Sequence, residues 1–140
     1  MPSSKRSRVP VTVAKWSADS QRLASYCQPP SYYTDIEYRC YHCSRPSVFT
    51  AEQQRQAFEV RQAYIWQRRM LCEQCFIERL AHQRAVKAFQ SRWRSARSEL
   101  AKEPKELQAW LSALEALPRY GAKRNTAHIA MLTRMLSGMD

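Results

Sequence analysis

Glycine is almost missing from this chain: only 2 of its 140 residues are Gly. A sequence so short of residues that enter left-handed turns freely is poorly suited to an all-β sandwich or barrel, and suits helices better. Acidic residues are scarce too, with 12 Asp and Glu against 23 Lys and Arg, a net charge of +11. No apolar run approaches the ~20 residues of a membrane-spanning helix. No apolar segment follows the basic start Met1-Pro-Ser-Ser-Lys-Arg-Ser-Arg either. Neither a membrane anchor nor a secretory signal is therefore expected, and the expected compartment is the cytoplasm. Histidine is limited to His42, His82 and His128, with no His-rich arrangement that would hold a hydrolytic metal and a general base together. A Gly-rich phosphate loop and a Gly-x-Ser-x-Gly elbow are likewise missing. These absences point away from an enzyme and from a small-molecule substrate.

What remains is a hydrophobic fraction of 44%, sufficient for a packed core. Residues 1–31 are rich in Ser, Pro, Lys and Arg and lack periodicity. They read as a flexible basic N-terminal arm ending at Pro29-Pro30. Trp16 and Tyr26 either pin that arm to the folded part or stand in solvent. From Ile36 to Cys40 apolar and polar residues alternate as in a half-buried strand, and Ser47-Val48-Phe49 is a second β-prone run, so a small hairpin is expected. Thr50, with Gln53 three residues on, has the pattern of a helix-capping box. It predicts a helix to about Arg61, with Ala57, Phe58 and Tyr64 turned inward. A long helix is expected from the Cys72–Cys75 segment to about Lys102, with Val86, Phe89, Trp93, Ala96 and Leu100 as one apolar stripe. Pro104 suits the first turn of another helix, carrying Leu107, Trp110, Leu111, Leu114 and Leu117. Tyr120-Gly121 marks a break, and Asn125 is placed to cap a last helix carrying Ile129, Leu132, Met135 and Leu136.

Four of the five cysteines form two Cys-x-x-Cys pairs, Cys40-Tyr-His-Cys43 and Cys72-Glu-Gln-Cys75. Two thiolates at this spacing reach one tetrahedral ion at ~2.3 Å from a tight knuckle or a first helical turn, and two such pairs complete the tetrahedron. The expected cofactor is thus one structural Zn(2+) ion held by Cys40, Cys43, Cys72 and Cys75. Four buried free thiols or a redox pair are the alternatives, but neither pair lies in a βαβ context. The 28 residues between the pairs have room for a hairpin and a short helix. The second pair opens a helix, whose N-terminal dipole favours thiolates. Knuckle, hairpin and ligand-bearing helix start describe a treble-clef finger. Cys27 stands outside the pattern as a free thiol, and His42 is expected to be exposed.

Three stretches carry a resemblance: Tyr33-Thr-Asp-Ile-Glu-Tyr-Arg-Cys-Tyr-His-Cys, Val48-Phe-Thr-Ala-Glu-Gln-Gln and Arg69-Met-Leu-Cys-Glu-Gln-Cys. Together, over residues 28–80, the chain resembles the bacterial "probable zinc-ribbon" domain family, which is grouped with treble-clef fingers. The resemblance implies metal binding by the four matching cysteines and no established activity. Ser44 departs from the pattern, because members of that family usually carry Gly after the second Cys; a left-handed turn there would strain a serine.

The long helix adds a charge pattern. Between Arg79 and Arg97 lie Arg79, Arg84, Lys87, Arg92, Arg94 and Arg97, with no acidic residue among them. At about 100° per residue, five of these share one flank beside the apolar stripe and Arg92 lies apart. Such a face suits phosphate contacts, so Arg79, Arg84, Lys87, Arg94 and Arg97 are the candidate nucleic-acid-binding residues, and Lys5, Arg6 and Arg8 could add non-specific contacts. A solvated face is the other outcome for such a run. The expected whole is mainly α with a small β-hairpin: a four-cysteine zinc module of treble-clef type at residues 32–80, followed at 81–140 by a helical extension of about three helices. Its expected function is binding without catalysis. RNA, DNA or a ribonucleoprotein such as the ribosome is the first partner, and a protein docked on the apolar C-terminal helices is the alternative.

Overall fold

The computed structural model describes residues 8–139. The chain is mainly helical, with two small antiparallel sheets. It divides into two compact units, one comprising the chain up to Arg39 together with Arg45–Met70, the other Cys40–Ser44 together with the chain from Leu71 onward. This partition differs from the boundaries at 31/32 and 80/81 suggested by composition.

In the first unit, β1 (Arg8–Pro10) pairs antiparallel with β2 (Tyr32–Thr34), Val9 standing opposite Tyr33. The segment expected to be a flexible arm is therefore structured from Arg8 on, while Lys5 and Arg6 lie outside the described residues. A short helix, α1 (Ala18–Ala24), follows, capped by the Ser17 side chain on the N–H of Ser20. Trp16 is buried whereas Tyr26 is 84% exposed, so only the first pins this segment. The reason is a core of Trp16, Tyr33, Phe49, Ala51, Ala57 and Phe58, with Val9, Val11 and Val13 packed against it. Hydrophobic residues lacking helical or strand period still gain by burial when long-range partners exist.

The expected hairpin forms. β3 (Ile36–Arg39) pairs with β4 (Pro46–Phe49), Ile36 opposite Phe49 and Arg39 opposite Pro46. Helix α2 (Ala51–Arg55) opens on the anticipated capping box: the Thr50 hydroxyl accepts from the Gln53 N–H at 3.1 Å, and the Gln53 side chain accepts from the Thr50 N–H at 3.0 Å. A π-helical turn, Gln56–Val60, carries the chain on and buries Ala57 and Phe58. Tyr64, expected inward, is instead 45% exposed because the helix has already ended and the chain has reversed.

The second unit is built on α3 (Glu73–Ser95), α4 (Arg97–Leu100), α5 (Pro104–Ala116) and α6 (Thr126–Ser137). The long helix expected to reach Lys102 stops at Ala96, where φ is −142° and ψ 44°. Pro104 occupies the first turn of α5. The Asn125 side chain caps α6 by accepting from the His128 N–H at 3.1 Å. Gly121 has φ 86°, the left-handed turn that glycine makes without strain. Val86, Leu100, Leu107, Trp110, Leu111, Leu114, Ile129 and Leu132 are the core, with Phe89, Trp93, Leu117 and Met135 against it. The apolar residues that could have docked a protein partner thus mostly cover one another. The Trp110 indole is fully buried between Phe89, Trp93 and His128, and its N–H finds no acceptor among the described residues. Among those residues no helix is long and apolar enough to cross a membrane.

Candidate metal centre

All four paired cysteines fall in the second unit. Cys40 and Cys43 sit on the tight turn that leaves β3, closed by the Ser44 N–H donating to the Cys40 carbonyl at 2.9 Å. This places Ser44 at φ 62°, a left-handed position without glycine. Cys72 is the N-cap of α3 and Cys75 lies in its first turn. The four sulfurs lie within 4.8 Å of one another, and the Cys43 and Cys72 sulfurs are 3.7 Å apart. Metal–sulfur bonds of ~2.3 Å in a tetrahedron set neighbouring sulfurs about 3.8 Å apart, so the cluster has the dimensions of a four-thiolate ion site. Cys40, Cys72 and Cys75 are buried and Cys43 is exposed, with no disulfide among them.

The protons are unevenly held. Burial opposes ionisation of Cys40, but the backbone N–H groups of Cys43, Cys72 and His42 point at its sulfur and bring the thiol down to about 6. Burial and hydrogen bonds with its fellow thiols push Cys75 up. A bound cation is what would allow four neighbouring thiolates to coexist. No position remains for water, which makes such an ion structural.

Sequence reasoning missed what covers the cluster. Tyr120, anticipated only as a helix break, is 7% exposed and shares a small core with Cys40, Leu71, Cys72 and Cys75. Its ring stacks on His42 at 4.0 Å and 11°, and leans on His82 at 5.5 Å. Its hydroxyl donates to Glu78 at 2.9 Å and holds that carboxyl below the usual carboxylate range, while burial and the same bond raise the tyrosine. His42 is exposed as expected, yet its Nδ1 donates to the Arg119 carbonyl at 3.2 Å, and His82 is half-buried. The pair Tyr120-Gly121 was the available signal: an aromatic beside one of the two glycines marks a turn with something to hold. Cys27 is exposed, outside the cluster.

The basic residues are not one uniform face. The Arg79 guanidinium is half-buried and donates to the Tyr120 carbonyl at 3.4 Å. Arg97 lies beyond the Ala96 break, off the continuous wheel that grouped it with the others, and stacks over Trp93 at 4.7 Å. Arg92 is engaged by Glu103 and Glu106. Arg84, Lys87 and Arg94 remain exposed on α3, within about 80° of arc, and none forms an ion pair among the described residues. No protein-family model matches the chain, and neither a curated protein nor a solved structure matches it.

Proposed function

We propose that the protein is a zinc-stabilised, non-enzymatic binding protein of the cytoplasm that contacts nucleic acid or a ribonucleoprotein. In this reading Cys40, Cys43, Cys72 and Cys75 hold one structural Zn(2+) in a module of treble-clef type, as in the "probable zinc-ribbon" family that residues 28–80 resemble. The reducing cytoplasm would keep the thiols free for metal. The ion ties the Cys40–Ser44 turn to the start of α3, and α3 presents the phosphate contacts. The observation that carries the reading is the exposed trio Arg84, Lys87 and Arg94 on a helix stretch with no acidic residue between positions 79 and 97. Exposed cations without acidic neighbours keep their full attraction for a polyanion, whereas Arg92, Arg97 and Arg79 have partners of their own. Arg79 and Arg97 therefore contribute at the edges of the contact.

The test is binding of the zinc-loaded protein to mixed-sequence RNA and DNA at two salt concentrations, repeated with Arg84→Gln, Lys87→Gln and Arg94→Gln combined. Tight binding that weakens with salt, with the slope against log salt reduced by about 2 to 3 in the triple variant, supports the reading. An absence of binding at low salt overturns it and directs attention to protein partners.

A further inference from the structure

The loop that follows α2 in the first unit carries a second kind of surface. Its residues alternate between inward and outward positions. Ala63 and Ile65 pack against the core of that unit, while Tyr64 and Trp66 are 45% and 53% exposed. Three hydrogen bonds fix the alternation. The Ala63 N–H donates to the Ala57 carbonyl at 2.8 Å, the Ile65 N–H to the fully buried Ser20 hydroxyl at 3.0 Å, and the Gln67 N–H to the Tyr64 carbonyl at 2.9 Å. Gln62 reverses the chain at φ 54°, a left-handed conformation taken without glycine. Such strain persists only where the surroundings impose it, and it is more common at functional positions. The outcome is a loop tied by three hydrogen bonds that leaves two aromatic rings about half exposed.

The charged residues of the loop itself are all basic. Residues 60–72 include Arg61, Arg68 and Arg69 and no acidic residue. The Arg68 guanidinium lies 6.0 Å from the centre of the Trp66 ring, and Arg69 covers Phe49 at 4.6 Å. Tyr64 also lines an open groove of 380 Å³ with Asp19, Arg22, Leu23 and Tyr26, where Asp19 is occupied by Arg22 at 3.6 Å.

We propose that Tyr64 and Trp66, with Tyr26 beside Tyr64, Arg68 against the Trp66 ring and Arg61 in the same loop, form a stacking platform for single-stranded nucleic acid. Exposed aromatic rings on a tied loop offer a face to any unstacked base, and arginines of the same loop meet the phosphates. In a duplex the bases are already stacked, so the rings would have nothing to hold. A protein partner would find the same rings, but an acid-free arginine loop on a chain of net charge +11 favours a polyanion. The inference rests on the nucleic-acid reading above, though on residues of the other unit, and the two can fail separately.

The experiment is a fluorescence titration of the zinc-loaded full chain with oligothymidylate of about 16 nucleotides, and with a DNA duplex of equal length. Single strands should bind more tightly than the duplex and quench tryptophan emission. Trp66→Ala should weaken single-strand binding roughly 5- to 150-fold, while Trp66→Phe keeps the affinity and loses most of the quenching. Arg61→Gln with Arg68→Gln should lower the slope against log salt by about 1.4. If circular dichroism shows Trp66→Ala misfolded, Trp66→Phe and the arginine pair decide. Unchanged binding and quenching in those variants overturns the platform, as does a preference for duplex. Loss confined to the α3 triple variant overturns the platform and leaves the α3 reading standing. Loss confined to the loop variants does the reverse, and no binding at all overturns both.

Discussion

The indole N–H of Trp16 donates to the hydroxyl of Tyr33 at 2.7 Å, inside the first unit and almost out of reach of water. This bond joins the N-terminal segment to β2. Burial, together with the nearby Glu59, raises the Tyr33 hydroxyl well above its ordinary value of 10, against the opposing pull of the Trp16 bond.

Removing the acceptor leaves a buried donor with no partner. Tyr33→Phe should destabilise the protein by about 1–3 kcal/mol at pH 7, measured by urea unfolding. The pH dependence has a definite sign. A group whose folded pKa lies above its unfolded one contributes stability that is complete below the unfolded value, here 10, and lost as pH rises toward the folded value. The gap between wild type and Tyr33→Phe should therefore be constant from pH 7 to 9 and close by about 1.4 kcal/mol per unit above pH 10. A gap that does not change with pH would remove Tyr33 as its origin.

Metal content follows from the sulfur geometry. The purified protein should carry about one zinc per chain, and its cobalt form should show the visible absorption of tetrahedral thiolate coordination. Cys72→Ser removes the N-cap ligand of α3 and should abolish stoichiometric metal with loss of helical circular dichroism. A native protein that is folded and metal-free would refute the site.

Tyr120 should matter to metal affinity although it offers no sulfur. Tyr120→Ala removes the ring stacked on His42 and exposes the small core around the cysteines. The expected loss in affinity, read by competition with a chelator, is about 10- to 100-fold. Tyr120→Phe keeps the ring and loses the bond to Glu78, so its loss should be smaller.

Ser44 gives the opposite direction. Its φ of 62° is disfavoured for a residue with a Cβ and free of strain for glycine. Ser44→Gly should relieve about 1–2 kcal/mol of strain and forfeit about 0.5–1 kcal/mol to the greater freedom of the unfolded chain. A net stabilisation of roughly 0.5–1 kcal/mol is expected, seen as a higher melting temperature and slower release of metal to chelator. A lower melting temperature would mean that the serine side chain stabilises the turn more than its backbone strains it.

Local signals in the sequence were sufficient for much of this. The Thr50–Gln53 capping box, the Asn125 cap, Pro104 in the first turn of α5 and the alternation that forms β3 each depend on residues within a few positions of one another. Each Cys-x-x-Cys pair belongs to the same class, since that spacing alone brings two sulfurs together within a turn, whereas the meeting of the two pairs is tertiary. The charge excess was equally plain in the sequence, as was the strain to expect at Ser44.

Tertiary structure decided the rest because the deciding partners lie far apart in the chain. Trp16 is buried in a cluster with Tyr33 and Phe58, so a segment with no period of its own becomes structured. Tyr120 meets Glu78 and His42 across 42 and 78 positions respectively. Arg79, Arg92 and Arg97 looked equivalent to Arg84 as letters; the Tyr120 carbonyl, Glu103 with Glu106, and Trp93 separated them. No Gly or Pro announced the break at Ala96. Tyr64 and Trp66 face outward because Ala63 and Ile65 fit the core, and the hydroxyl of Ser20, distant in sequence, holds the loop in that register. Spacing determined which residues could share an ion or a helix turn. Packing determined which charges and rings were left for a partner, because only long-range contacts remove a side chain from solvent.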